Sequence, residues 1–170
     1  MREEKELYSA VVCFLYKDDK ILLGVETQKI GKGKRNGYGG GVEDESILDC
    51  AVRELKEETG GVVAQPGNLE KIAIVHFHNT KSDGKTFVCK VHFFLVHKWK
   101  GEVKETEEMV EPKWFSINNL PLDEMMPSDK EWLPISLNSK KIIVKAYLGP
   151  FQEKSIGDVE ITYVSSFLER

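Results

Sequence analysis

Glu54, Glu57 and Glu58 stand at positions i, i+3 and i+4, a spacing that brings three carboxylates onto one face of a helix. Like charges held that close repel by a few tenths of a kcal/mol per pair (about 0.2–0.5) unless cations neutralise them. At roughly 100° per residue, Glu58 falls beside the apolar stripe of the same segment, so it turns toward the body of the protein. A partly desolvated carboxylate needs a partner. Hard divalent ions such as Mg2+ supply one, because they prefer a few carboxylate oxygens completed by water and substrate phosphates. A solvated acidic helix face is the plain alternative, and the surrounding residues decide between the two.

Those residues are Gly39, Glu45, Arg53, Glu54, Leu55, Glu57, Glu58 and Gly60, within GGGVEDESILDCAVRELKEETG. The pattern resembles the Nudix box, the signature of the Nudix hydrolases, at every fixed position except Gly61, where the family carries an aliphatic residue. Val62 is expected to pack in its place. The resemblance implies a Nudix fold and a pyrophosphohydrolase using Mg2+, with Mn2+ as a substitute. It implies that Glu54, Glu57 and Glu58 bind the metal together with a backbone carbonyl near Gly39 or Gly40. Arg53 would orient the glutamates and Glu45 would brace the loop. The base would be Glu57 or an acid outside the box. ETEEMVEPKW (Glu105 to Trp114) is similar to the acidic segment before the Trp-Phe pair of MutT-like members, which makes Glu108 a further ligand or base and Glu111 the second choice. Its spacing to Trp114 is one residue longer than the common form.

RNGYGGGVE and WFSINNLPLDEMMPSDKEWLP resemble the oxidised purine nucleoside triphosphatase branch of the family. In that branch the equivalent of Asn36 bonds the base, a tryptophan stacks on it and two acids read its edge. Here Met126 stands for the tryptophan, and Ser128 and Asp129 for the acidic pair. A purine pocket of Asn36, Met126, Ser128 and Asp129 is therefore expected, with Arg35 as a further substrate contact. Its chemistry is hydrogen-bond donation and acceptance at the base edge beneath a polarisable thioether. Lys29, Lys32, Lys34 and Arg35 are candidates for phosphate contact, and His76 and His78 for the wall of the base cleft. The implied reaction cleaves a nucleoside triphosphate to monophosphate and pyrophosphate, with oxidised purines such as 8-oxo-dGTP favoured (an 8-oxo-dGTP diphosphatase). The alternatives are hydrolysis of another nucleoside diphosphate derivative, ADP-ribose or a dinucleotide, and a non-catalytic nucleotide-binding module.

The elements that must hold these residues follow from pattern. Leu7 to Tyr16 and Ile21 to Val25, joined at KDDK, read as a hairpin, and Lys29 to Gly41 as a glycine-rich loop. Ser46 to Thr59 reads as a helix capped by Ser46 and stopped by Gly60 and Gly61, with Ile47, Leu48, Ala51, Val52 and Leu55 on one stripe. Strands are expected at Lys71 to His78, Thr86 to Trp99 and Trp114 to Phe115. Leu120 to Pro134 reads as irregular, Asn138 to Leu148 as a second helix, and Val159 to Phe167 as a closing strand. The sum is an α/β (α+β) architecture, a mixed β-sheet sandwiched between helices, in a single domain over residues 1–170.

Bulk properties bound the function. A formal charge of −4 argues against a nucleic acid polymer as partner, leaving a nucleotide substrate whose charge is neutralised locally. Cys13, Cys50 and Cys89 show no CxxC pairing, so neither a disulfide framework nor a zinc site is signalled, and they read as small core residues. Met1 to Glu6 has no signal-peptide character and no apolar run reaches the ~20 residues of a membrane span. A soluble, cytoplasmic protein, monomer or homodimer, is expected.

Overall fold

The computed structural model describes residues 4–28 and 30–168. Met1 to Glu3 of the charged N-terminal segment and Lys29 of the proposed phosphate contacts therefore lie outside the described residues. Nine strands form a mixed sheet: β1 (Ser9–Lys17), β2 (Lys20–Glu26), β3 (Arg35–Asn36), β4 (Tyr38–Gly41), β5 (Leu69–Thr80), β6 (Thr86–Val96), β7 (Met109–Ser116), β8 (Ile142–Leu148) and β9 (Glu160–Tyr163). The main path runs β3-β2-β1-β6-β5-β8-β9, with β4 paired to β1 and β7 to β2. The β1–β6 and β5–β8 pairs are parallel. Two α-helices, α1 (Ile47–Thr59) and α2 (Asp129–Leu137), complete the architecture.

Strand alternation decides which helix each residue meets. Along β1, Val11, Cys13 and Leu15 join Cys50, Ala51 and Leu55 of α1 in one core. The alternate residues Ala10 and Phe14 join Val75, Phe77, Phe93 and the α2 residues Trp132, Leu133 and Leu137 in another. The sheet thus has a core on each face. The β1–β2 hairpin closes through Asp18 and Asp19, both at positive φ (52° and 58°), the turn geometry whose twist matches that of the strands.

Several segments differ from the sequence reading. Asn138 to Leu148 supplies no helix, because Ile142 to Leu148 is a strand whose Ile142, Val144, Ala146 and Leu148 are buried in alternation. Its β-branched residues fit between β5 and β9, and tertiary pairing overrides the weak helical periodicity. The second helix instead lies in the segment read as irregular. Asp129 to Leu137 is helical despite the internal Pro134, since Trp132, Leu133, Ser136 and Leu137 share one buried side. The glycine-rich stretch contains β3 and β4, Trp114 and Phe115 belong to the eight-residue β7, and the closing strand shrinks to Glu160–Tyr163.

Trp132 is fully buried, packs edge-on to Phe93 at 4.5 Å, and its Nε1 has no hydrogen-bond partner among the described residues. Trp132→Ala should therefore lower unfolding free energy by about 3–5 kcal/mol. Trp132→Phe, which keeps a ring and removes the unsatisfied N–H, should cost far less. Urea unfolding of the two variants checks the difference.

Candidate active site

The site begins with the helix that carries the glutamates. Ser46 Oγ accepts from Asp49 N at 3.1 Å, and Gly60 takes the left-handed conformation (φ 74°) that ends α1. Gly61 N then donates to Lys56 O at 2.9 Å. Val62, the residue expected to pack in place of the box's last aliphatic position, is fully buried in the α1 core. Cys50, Ala51 and Leu55 fix the rotation of α1 by burying one stripe. Glu54 and Glu58 consequently lie at the edge of that stripe and are 7% and 3% exposed, whereas Glu57 points outward with its side chain 58% exposed.

Against these carboxylates runs β4. A β-carbon at Gly39 would lie 1.8 Å from the Val11 carbonyl oxygen, and one at Gly40 would lie 2.5–2.6 Å from the Glu54 carboxylate. Only glycine permits both approaches. Gly39 N donates to Glu58 Oε1 at 2.9 Å, so a strand amide fixes one glutamate while the bare Gly40 backbone abuts another.

Arg53 ties these parts together. Its Nε lies 3.0 and 3.2 Å from the two Glu45 oxygens and its Nη2 lies 2.5 Å from Glu45 Oε1. Its Nη1 donates to Glu54 at 2.9 Å and to Glu57 at 3.2 Å, and Nη2 reaches Gly41 O at 3.3 Å. One guanidinium thus links the loop, two glutamates and β4, with the bidentate fork that only arginine offers. The Arg53 bonds hold Glu45 down at about 2, well below the usual carboxylate range, and raise the Arg53 guanidinium further.

Glu108 approaches from the segment before β7. Thr106 Oγ1 donates to Glu58 O at 3.3 Å and accepts from Met109 N at 3.2 Å, while Glu108 O accepts from Thr27 N at 3.0 Å. This pins the Glu108 backbone between β2 and the end of α1. The extra residue before Trp114 is absorbed in a bulge: Leu23 pairs with Lys113 and Val25 with Val110, leaving Glu111 and Pro112 opposite Gly24. Glu111 adopts a φ of 50° there and donates its N–H to Glu105 at 2.8 Å. Arg35, read as a substrate contact, donates to the carbonyls of Glu111 and Leu23, and its guanidinium lies 5.5 Å from the Phe115 ring centroid. Its bonds secure the bulge.

Among the described residues, no group of three or more His, Cys, Asp or Glu side chains is arranged to hold a metal ion without ligands from elsewhere. Magnesium sites are commonly completed by waters and substrate phosphates rather than built by the protein alone. The donors present fit such an ion: they are hard carboxylate oxygens, and the missing Cβ of Gly40 leaves the backbone directly against Glu54.

Of the residues expected to hold the base, Met126, Ser128 and Asp129 lie at the entrance to α2, and Asn36 ends β3. Asn36 Oδ1 accepts from Gly37 N at 2.8 Å. A β-carbon at Gly37 would meet the Phe14 ring at 2.8 Å, Phe14 stacks with Phe93 at 6.1 Å, and Phe93 meets Trp132. Met126 is buried, with a β-carbon position at Gly31 only 2.9 Å from its Sδ. Ser128 is fully buried and its Oγ has no hydrogen-bond partner among the described residues. Asp129 is 5% exposed, and burial pushes its carboxyl up to about 7.

His76 and His78 do not join this group. They alternate along β5 with Val75 and Phe77, which face α2, so both point to the opposite face, where His78 stacks on Tyr147 at 4.9 Å. Cys13, Cys50 and Cys89 are buried free thiols, and burial pushes Cys50 up to about 12 and Cys89 to about 11.

The NUDIX domain model matches residues 6–134, and the chain belongs to the Nudix hydrolase family. It is 37% identical over 125 residues to the oxidized purine nucleoside triphosphate hydrolase of Danio rerio, spanning 73% of this chain and 76% of that one. It is 35% identical over 136 residues to the Mus musculus protein of the same description, spanning 79% and 81%. In fold it is similar to the MutT protein of Bacillus halodurans, with a TM-score of 0.73 at 20% identity, over 91% of this chain and 97% of that one. No helix among the described residues is long and apolar enough to cross a membrane.

Because Glu45 is held low by Arg53, the stability their contact provides is present above the unfolded carboxyl value, near 4.5, and is lost only as pH falls toward about 2. Arg53→Ala should therefore be less stable than the native protein at pH 5 to 7. The gap should narrow steadily as pH drops from 4.5 to 2, as thermal unfolding across that range would record.

Proposed function

We propose that this chain is a divalent-cation-dependent pyrophosphohydrolase that cleaves nucleoside triphosphates to monophosphate and pyrophosphate, with oxidised purine deoxynucleotides such as 8-oxo-dGTP favoured. The observation that carries the reading is the set of glutamates Glu54, Glu57 and Glu58, joined through Arg53 and the side-chain-free backbone of Gly39 and Gly40. The descriptions of the Danio rerio and Mus musculus relatives support the substrate class.

In this reading Glu54, Glu57, Glu58 and Glu108, with the Gly39 carbonyl, hold Mg2+ or Mn2+. Such an ion, when bound, would supply charge neutralisation of the polyphosphate and a lowered pKa for water. Arg53 keeps Glu54 and Glu57 in register across the helix turn, and its release of either toward a cation leaves it anchored on Glu45. Glu57, the most exposed of the three, or Glu108 accepts the proton of the attacking water. As the new oxygen–phosphorus bond forms, the anhydride bond between α- and β-phosphates breaks and pyrophosphate departs with the bonding electrons.

Base selection falls to Asn36, Met126, Ser128 and Asp129. With a value near 7, Asp129 retains its proton over much of the neutral range and can donate to a purine carbonyl. The Ser128 hydroxyl adds a second donor or acceptor, and the Met126 thioether covers a ring face. A buried polar pair left unmatched by the wrong base penalises that base.

Two measurements test the two halves. Glu57→Gln should reduce kcat for nucleotide hydrolysis by about 10²–10⁴-fold while leaving the urea transition in place; full activity would refute the role of the glutamates. For base selection, the raised value of Asp129 means that its protonated form is favoured in the fold and is lost as pH rises through about 7. The KM for 8-oxo-dGTP should rise across that interval, and Asp129→Asn, a permanent donor, should flatten the rise. Asp129→Ala should raise KM about 10-fold or more at pH 6.5, and unchanged turnover of 8-oxo-dGTP in that variant would exclude the pocket.

A further inference from the structure

A second hollow opens where β1 and β6 run out, on residues that belong neither to α1, nor to Gly39–Gly41, nor to the turn from Met126 to Asp129. It is an open hollow of about 630 Å³, within the size range of clefts that take small organic ligands. Lys17, Lys98 and Lys100 rim it, and Trp99, Gln65 and His97 are among the residues that line it.

Its walls are fixed to the fold. Val63 and Lys100 exchange backbone hydrogen bonds of 2.9 Å in both directions, and His97 N donates to Asn68 O at 3.0 Å. Trp99 is half-buried, packs on the α1 core and stacks on Trp114 with ring centroids 6.2 Å apart and 24° between planes. The indole is therefore held in place before any ligand arrives, so little side-chain entropy is lost on stacking.

The charge is just as local. The whole chain carries −4, yet three lysines border this hollow, and among the described residues none of the three has a carboxylate at ion-pair distance. Of the acids nearby, Glu70 is engaged by His97 Nε2 at 2.9 Å and Asp19 by the Tyr16 hydroxyl at 2.7 Å. Concentrated positive charge in a recess attracts anions, an oriented indole offers a face or edge to a flat ring, and the Gln65 amide supplies both donor and acceptor. An inorganic anion would use only the lysines, and an uncharged ring would use only the tryptophan.

We propose that this hollow is a second binding site for a small phosphate-bearing molecule with a planar ring, of mononucleotide size, separate from the hydrolytic centre. The proposal does not depend on which nucleotide the chain hydrolyses.

The indole N–H signals of Trp99, Trp114 and Trp132, assigned through single Phe substitutions, report on both regions at once. AMP titrated in the presence of EDTA, without divalent ions, should shift the Trp99 signal in a saturable way. Adenosine and pyrophosphate should each require about tenfold higher concentration, since each lacks one half of the recognition. Lys98→Glu with Lys100→Glu should weaken the AMP effect at Trp99 about tenfold and leave the metal-activated hydrolysis rate unchanged, with an unmoved Trp132 signal certifying the fold. The site is refuted if AMP shifts only the Trp132 signal, or if the charge-reversed protein titrates like the native one. Pyrophosphate acting at the same concentration as AMP would reduce it to adventitious anion binding and would equally overturn it.

Discussion

At Gly39 a β-carbon would sit 1.8 Å from the Val11 carbonyl oxygen, and at Gly40 one would sit within 2.6 Å of the Glu54 carboxylate. Everything else in the proposed hydrolytic centre depends on the close approach that these two missing side chains allow. It brings a strand amide to Glu58 and exposes the β4 backbone beside Glu54, and it leaves Gly41 O within reach of Arg53. A strand with ordinary side chains would be forced away from α1, and the carboxylates would then face water individually.

Three glutamates on one turn are a standing electrostatic cost, which Arg53 reduces by bonding to two of them and to Glu45. The arrangement is braced from outside the helix, so Glu54 and Glu57 can exchange a hydrogen bond for a cation without freeing the guanidinium. Across the sheet the logic is reversed. Glu45 is stabilised as an anion by its arginine, whereas Asp129 is pushed toward its neutral form by burial alone. The two carboxyl groups show how environment, rather than residue type, assigns charge.

The bulge in β7 illustrates a tolerance of the same framework. One additional residue between Glu108 and Trp114 is taken up at Glu111 and Pro112, and Arg35 bonds the carbonyl so displaced. Pairing of β2 with β7 resumes beyond it, and the Glu108 backbone keeps its contact with Thr27. The added residue is thereby confined to one strand edge.

What the sequence by itself determined was local. The helix of Ser46 to Thr59, its cap and stop, the face shared by Glu54, Glu57 and Glu58, and the first hairpin all rest on residues within a few positions of one another, where periodicity and turn chemistry act directly. The family likeness likewise rests on one contiguous stretch. Tertiary structure decided the rest. Ile142 to Leu148 became a strand because β5 and β9 offered it hydrogen bonds, and Asp129 to Leu137 became a helix because a buried side containing Trp132 outweighed its proline. His76 and His78 were turned from the α2 side by register alone, since a period of two assigns faces only after the neighbours are known. Burial of Asp129, commitment of Arg35 to the bulge and the hollow that three lysines border beside Trp99 join residues distant in the chain, and no local pattern can encode which distant surfaces will meet.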